Sequence, residues 1–286
     1  MHRVVWLAAM VMCGFGASVA AASGISDTAS LELVSGRRIE ARIRIPAVAA
    51  AAPYPALMLF GGFRGAARVL EAVPEDVPLI VASFDYPFEA PRRFRFPQSL
   101  GDLPALGRGI DDTRDGIAQL TAHLRAHPKV DARRISIVGA SLGAPFAVNA
   151  AVDLQLPGLI LVHGFGDLRR VIAHQFVYKL EPRLGAWVRW PSWGLANALT
   201  WGLQLPRPES DARRLGPGQR VLMLNAQEDQ RIPRQAVETL WQGLQASSAQ
   251  VARRDHEGPH LQGIDDVRIK TLVAEALRWM AQEELR

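Results

Sequence analysis

Short, continuous apolar runs alternate along this chain with amphipathic helical stretches, and that rhythm constrains the fold more than any other feature. Ala56–Phe60, Leu79–Phe84, Ile135–Val138, Leu159–Val162 and Val221–Leu224 are runs of this kind. A strand that is apolar throughout needs cover on both faces, which is the condition of a parallel sheet between helical layers. The helices are legible between the runs. Ile110, Ile117, Leu120 and Leu124 recur at helical spacing within Gly109–His127, and Ala144–Leu154, Arg234–Leu244 and Val267–Glu284 follow in turn. Near the start, Leu31–Val34 and Ile39–Ile45 flank Ser35-Gly36-Arg37-Arg38, the pattern of a β-hairpin. The expected class is therefore α/β, a mostly parallel sheet flanked by helices. One stretch breaks the rhythm. Asp167–Ser210 is helical in pattern and carries Trp187, Trp190, Trp193 and Trp201, four of the seven tryptophans. An insertion there would sit above the strand ends where open α/β sheets bind ligands.

The first 22 residues are of another kind. Met1-His2-Arg3 is basic, Val4–Phe15 is apolar, and Ser18–Ala22 offers small residues for cleavage. This pattern predicts a secretory signal peptide and a secreted or periplasmic mature domain over 23–286, the alternative being an uncleaved N-terminal anchor. No later run is long and apolar enough to span a bilayer. The single cysteine, Cys13, lies in the leader without the small residue that precedes a lipidated cysteine. The mature chain would hold no disulfide, thiol nucleophile or thiolate metal site. Arginine carries the positive balance, lysine occurring only at Lys129, Lys179 and Lys270. The charges are scattered, and the densest group, Arg92-Arg93-Phe94-Arg95-Phe96, is short, so no nucleic-acid partner is expected.

Gly139-Ala140-Ser141-Leu142-Gly143 sits between the run ending at Val138 and the helix starting at Ala144. A Gly-x-Ser-x-Gly turn between strand and helix exposes the serine hydroxyl at its tip and faces it toward a helix N-terminus. The bare pattern is weak, and its setting strengthens it. A serine hydroxyl needs a base. Of the seven histidines, His2 belongs to the leader and His123 and His127 to a helix end, while His163 follows a strand and His174 lies in the insertion. His256 and His260 fall in a Gly/Pro loop, Asp255–Leu261, before the last helix, and His260 is the preferred base. The orienting acid should follow a strand and precede the histidine. Asp229 fits, with Glu228 beside it and Asp167 as the outside alternative. Of the two oxyanion donors, one is expected at the Leu142 N–H and the other at Gly62 or Phe63, in the loop after an early strand.

With these residues in place, the chain resembles the α/β-hydrolases, nearest to the dienelactone-hydrolase-like and serine-esterase branches. The motifs that carry the resemblance are Gly61-Gly62, Gly139–Gly143, Asp229–Pro233 and Gly258-Pro259-His260, spread over nearly the whole mature chain. It implies about eight strands, a triad on loops at one sheet edge and a variable cap, here the tryptophan-rich insertion. Many members have His-Gly where this chain has Phe60-Gly61. The implied activity is hydrolysis of carboxylic esters through an acyl-enzyme on Ser141, with His260 as base and Asp229 orienting it. No cofactor or metal is implied. The substrate would be a small ester, its apolar acyl or aromatic group held by the four tryptophans. A peptidase, thioesterase or acyltransferase could use the same triad, and a non-catalytic binding protein of this fold would lack one of its members.

Overall fold

The computed structural model describes residues 25–46, 52–62, 65–88, 103–203, 205–261 and 266–286. The leader, the arginine cluster at 92–96 and Phe63 lie outside these residues. Eight strands form one sheet in the order β1-β2-β4-β3-β5-β6-β7-β8. β1 (Ile25–Glu32) and β2 (Arg38–Ile45) pair antiparallel across a turn at Gly36, and β2 joins β4 (Ile80–Phe84) antiparallel. From there β4, β3 (Tyr54–Phe60), β5 (Val130–Ala140), β6 (Gly158–Val162), β7 (Arg220–Ala226) and β8 (Gln250–His256) all run parallel.

The apolar runs serve two helical layers at once, because successive side chains of a strand point to opposite faces. Ala56, Met58 and Phe60 of β3, with Val221 and Met223 of β7, pack with α2 (Leu103–Ala126), α3 (Gly143–Asp153) and α7 (Arg234–Gln245). Leu57 and Leu59, with Leu222 and Leu224, pack on the other side against α1 (Ala66–Leu70) and α8 (Asp266–Gln282). β2 alternates exposed and buried, as expected of a hairpin covered on one face only. Between β6 and β7 the described part of the expected insertion is mainly helical. α4 (Leu168–Leu184) and α5 (Arg189–Gly202) form a hairpin joined by a 3-10 turn at Ala186–Val188, and α6 (Pro208–Ala212) returns the chain to the sheet.

Two differences from expectation have physical causes. β8 runs on through Asp255 and His256, which were assigned to a loop. Its last residues are polar because it is an edge strand, with Arg253 paired to Glu238 and Asp255, and Arg254 to Glu275. Helix α1 had no sequence signal. It is five residues long, and its start is held by the Asp85 carboxylate, which accepts the Ala66 N–H at 2.6 Å.

Candidate active site

The C-terminal ends of four neighbouring parallel strands bring the chemistry-bearing residues together. Ser141 follows β5, His163 follows β6, Asp229 lies in the loop after β7, and His260 lies in the loop after β8. Main-chain bonds extend the sheet ladder into these loops. Ser141 N–H donates to the Val162 carbonyl at 2.8 Å, His163 N–H to Leu224 at 2.7 Å, and Gln227 N–H to His256 at 2.8 Å.

At the elbow Ser141 itself takes the left-handed conformation, with φ 51°. A non-glycine residue there stores backbone strain, which persists only when its surroundings hold it. The two glycines serve another end, close approach. A Cβ on Gly139 would lie 2.6 Å from the Gly143 carbonyl oxygen, and one on Gly143 would lie 2.0 Å from the Phe60 carbonyl oxygen. The elbow is thus pressed against the end of β3, and this puts Gly61-Gly62 beside it. Gly61 is fixed in turn by Tyr86, whose hydroxyl donates to the Gly61 carbonyl at 2.7 Å. Leu142 is the N-cap of α3, so its N–H stands ahead of the helical ladder, where an anion is favoured.

Asp229 and His260 meet as expected, with His260 Nδ1 2.6 Å from Asp229 Oδ2. Both are buried, the side chains being 9 % and 6 % exposed. The other carboxylate oxygen, Oδ1, accepts the backbone N–H groups of Arg231 and Ile232, each at 2.9 Å. Asp229 has a further partner that sequence reasoning missed. His163, 4 % exposed, places Nδ1 3.3 Å from the same Oδ2, less well aligned than the His260 contact. Its Nε2 accepts the Leu261 N–H at 3.4 Å, and its ring lies 4.5 Å from that of His260. An accepting Nε2 and an Nδ1 facing a carboxylate define a neutral ring protonated on Nδ1. Burial pushes the His163 pKa down, and hydrogen bonding to Asp229 only partly opposes this. For Asp229 burial alone would raise the pKa. The hydrogen bonds from His163 and His260, the charge of His260 and the Ile232 N–H outweigh it, and the carboxyl is held well below the usual carboxylate range.

The remaining expectations sort by position. His256 points to Glu275 on α8, with Nε2 2.9 Å from Oε2, and Glu228 is exposed beside the acid loop. Asp167 caps α4 by accepting the Arg170 N–H at 3.2 Å and pairs with the Arg170 side chain. His174 and Gln175 of α4 seat the insertion on the acid loop, through contacts to the Gln230 carbonyl at 2.8 Å and the Arg231 carbonyl at 2.5 Å. Trp187, Trp190 and Trp201 face outward, 66 %, 86 % and 88 % exposed, while Trp193 lies under the guanidinium groups of Arg169 and Arg170. Trp201 also edges a groove of about 860 Å³ that runs along α3 from Phe146 to Asp153, away from the elbow.

Among the described residues, His163, Asp229 and His260 are the one group whose ligand atoms are close enough to hold a metal. Zinc with bonds of about 2.0–2.1 Å spaces tetrahedral ligand atoms by roughly 3.3 Å. The 2.6 Å between His260 Nδ1 and Asp229 Oδ2 is instead the length of a shared proton.

No family model matches the sequence, and neither does any curated protein. Solved structures do. An esterase of Pyrococcus furiosus superposes with a TM-score of 0.65 at 13% identity, over 91% of this chain and 92% of that one. A puromycin-hydrolyzing peptidase of Mycobacterium tuberculosis gives 0.65 at 17% identity, over 91% of this chain and 39% of that one. Acetyl xylan esterase 1 from Thermoanaerobacterium gives 0.56 at 18% identity, over 90% and 86%. The chain has the α/β-hydrolase fold.

Proposed function

We propose that this protein is an exported serine hydrolase that cleaves small carboxylic esters through an acyl-enzyme. The observation that carries the proposal is the 2.6 Å contact between His260 and Asp229, in the loops after β8 and β7, at the same sheet edge as a serine held at φ 51° in the strand-to-helix elbow after β5. With Nδ1 engaged by the acid, His260 has Nε2 free to take the Ser141 proton as Oγ attacks the ester carbonyl. The oxyanion that forms is stabilised by the Leu142 N–H and by a donor from the loop at Gly62 or Phe63. His260 then gives its proton to the departing alkoxide, and a water activated by the same imidazole hydrolyses the acyl-serine. Asp229 keeps the imidazole in this tautomer and balances the imidazolium. His163 acts through Asp229 as a positioning residue, its Nδ1 facing the same Oδ2 and its ring lying beside that of His260. The leader over 1–22 supports export, and the esterases and peptidases among the structural neighbours support a hydrolase.

Labelling with a fluorophosphonate probe and hydrolysis of p-nitrophenyl esters of graded acyl length test this reading. Wild-type protein is expected to label and to turn over the shorter esters, and Ser141→Ala to do neither. Labelling that survives Ser141→Ala overturns the assignment, and turnover confined to amide substrates replaces the esterase reading with a peptidase one.

A further inference from the structure

The cap hairpin carries an aromatic surface that the ester chemistry does not use. In α5, Trp190, Gly194, Asn197 and Trp201 are spaced so as to fall on one stripe of the helix. The opposite stripe, Ser192 and Ala196, is buried against the rest of the cap. Trp190 and Trp201 are both exposed on that stripe, about 16 Å apart along the axis at 1.5 Å per residue, Trp201 standing at the rim of the groove beside α3. Trp187, in the turn before α5, adds a third exposed indole. No carboxylate falls within α5. Charge surrounds the stripe instead. From Asp167 to Gly202 five cations, Arg169, Arg170, Lys179, Arg183 and Arg189, stand against two carboxylates, a net charge of +3, with Asp167 paired to Arg169 and Arg170 and Glu181 to Arg189.

We infer that the α4–α5 hairpin docks on an anionic phospholipid surface, with the α5 tryptophans in the headgroup layer and the flanking cations on lipid phosphates. The physical reasons are separate and agree. Indoles favour the boundary between water and hydrocarbon, since each has an apolar body and one N–H to satisfy. A helix with an aromatic face and a basic rim lies in the plane of that boundary, gaining both apolar burial and Coulomb attraction. A second copy of the chain is a poorer occupant, because a two-fold pairing of α5 would set one +3 hairpin against another. The placement has a consequence for substrate access. His174 and Gln175 of α4 bond to the acid-loop carbonyls of Gln230 and Arg231, so a cap lying on a bilayer holds the sheet edge close to it. The docking is peripheral. No described helix is long and apolar enough to cross a membrane.

The test is co-sedimentation of the full mature chain, carrying Ser141→Ala so that turnover plays no part, with vesicles of phosphatidylcholine alone or with 30 % phosphatidylglycerol. The Ser141→Ala background also separates this inference from the esterase reading, since binding is scored whether or not the protein is a hydrolase. Expected are binding to the anionic vesicles with a blue shift of tryptophan emission, much weaker binding to the neutral ones, and release in 0.5 M NaCl. Trp190→Ala/Trp201→Ala should lower the partition coefficient about tenfold or more, with an unchanged thermal midpoint showing that the cap is still folded. Absence of binding to anionic vesicles overturns the inference, as does equal binding by a folded double variant. A dimer that the double variant abolishes, in protein that ignores vesicles, gives the face to a second copy instead.

Discussion

The strand ends that hold Ser141, Asp229 and His260 and the helical cap above them are built on opposite terms. At the sheet edge the Asp229 carboxylate is buried and matched, meeting two imidazoles and two backbone N–H groups. In the cap three indoles face out, those of Trp187, Trp190 and Trp201. A buried, satisfied network fixes geometry, because moving any member strands another in a medium that punishes unpaired charge. An outward aromatic face fixes nothing within the chain and has value only toward something outside it. On the two proposals above, the edge sets the chemistry and the cap sets where it is performed.

The sharpest break of this comparison lies in the edge. His260→Ala should lower ester turnover by roughly four orders of magnitude or more, and Asp229→Asn by a similar factor, because an amide at this position no longer selects the Nδ1-protonated ring. Initial-rate kinetics on one short ester measure both. The same exchanges in the cap, such as Trp187→Ala, should change turnover of a water-soluble ester by less than about threefold. A loss in the cap as large as that at the edge would mean that the cap belongs to the reacting site.

How far the sequence revealed this division follows from which signals are local. The strands from β3 to β7 were legible because burial on both faces leaves an uninterrupted apolar run, and Ser141 because its elbow is a five-residue pattern in a strand-to-helix setting. Asp229 and His260, which the structure brings within 2.6 Å, were singled out by their loops and by chain order. The end of β8 was lost because an edge strand covers its backbone with ion pairs, so Arg253-Arg254-Asp255-His256 has the composition of a loop. His163 was lost because its meaning is entirely tertiary. One of its partners, Leu261, is 98 residues away, and a lone histidine after a strand looks the same whether it faces water or a carboxylate. The tryptophans were visible, but direction is a property of the fold. Spacing along α5 could show that they share a stripe and not that the stripe faces solvent.

His163 gives an intermediate effect with its own signature. His163→Phe leaves Asp229 with one imidazole in place of two, and kcat should fall roughly 10- to 100-fold with KM nearly unchanged, as expected for the loss of a group that orients another. His163→Gln can still donate to Oδ2 and should recover part of kcat, which a merely structural role would not produce. The pH dependence of stability carries the same information. His163 is held neutral with a lowered pKa, so below about 6.5 the unfolded chain takes up a proton that the folded one refuses. Stability should therefore decline as pH falls through that range, and His163→Gln should remove this share of the decline. Asp229, lowered for the opposite reason, contributes stability that is complete above roughly pH 4 and is lost only in stronger acid. Thermal midpoints between pH 8 and pH 4 separate the two groups.

The smallest effect belongs to the other histidine of the same segment. His256 is four residues from His260, yet its ring turns to Glu275 on α8 at 2.9 Å, on the far side of the β8 edge. His256→Ala should leave kcat/KM within about twofold and lower stability by no more than roughly 1 kcal/mol, the scale of a partly exposed ion pair. A double-mutant cycle with Glu275→Gln measures that pairing directly, and the remaining partner of Glu275, Arg254 at 3.0 Å, keeps the carboxylate from being stranded. A large catalytic loss in His256→Ala, with activity retained in His260→Ala, would move the base to the end of β8 and break the division between a matched edge and an outward cap at its most closely spaced point.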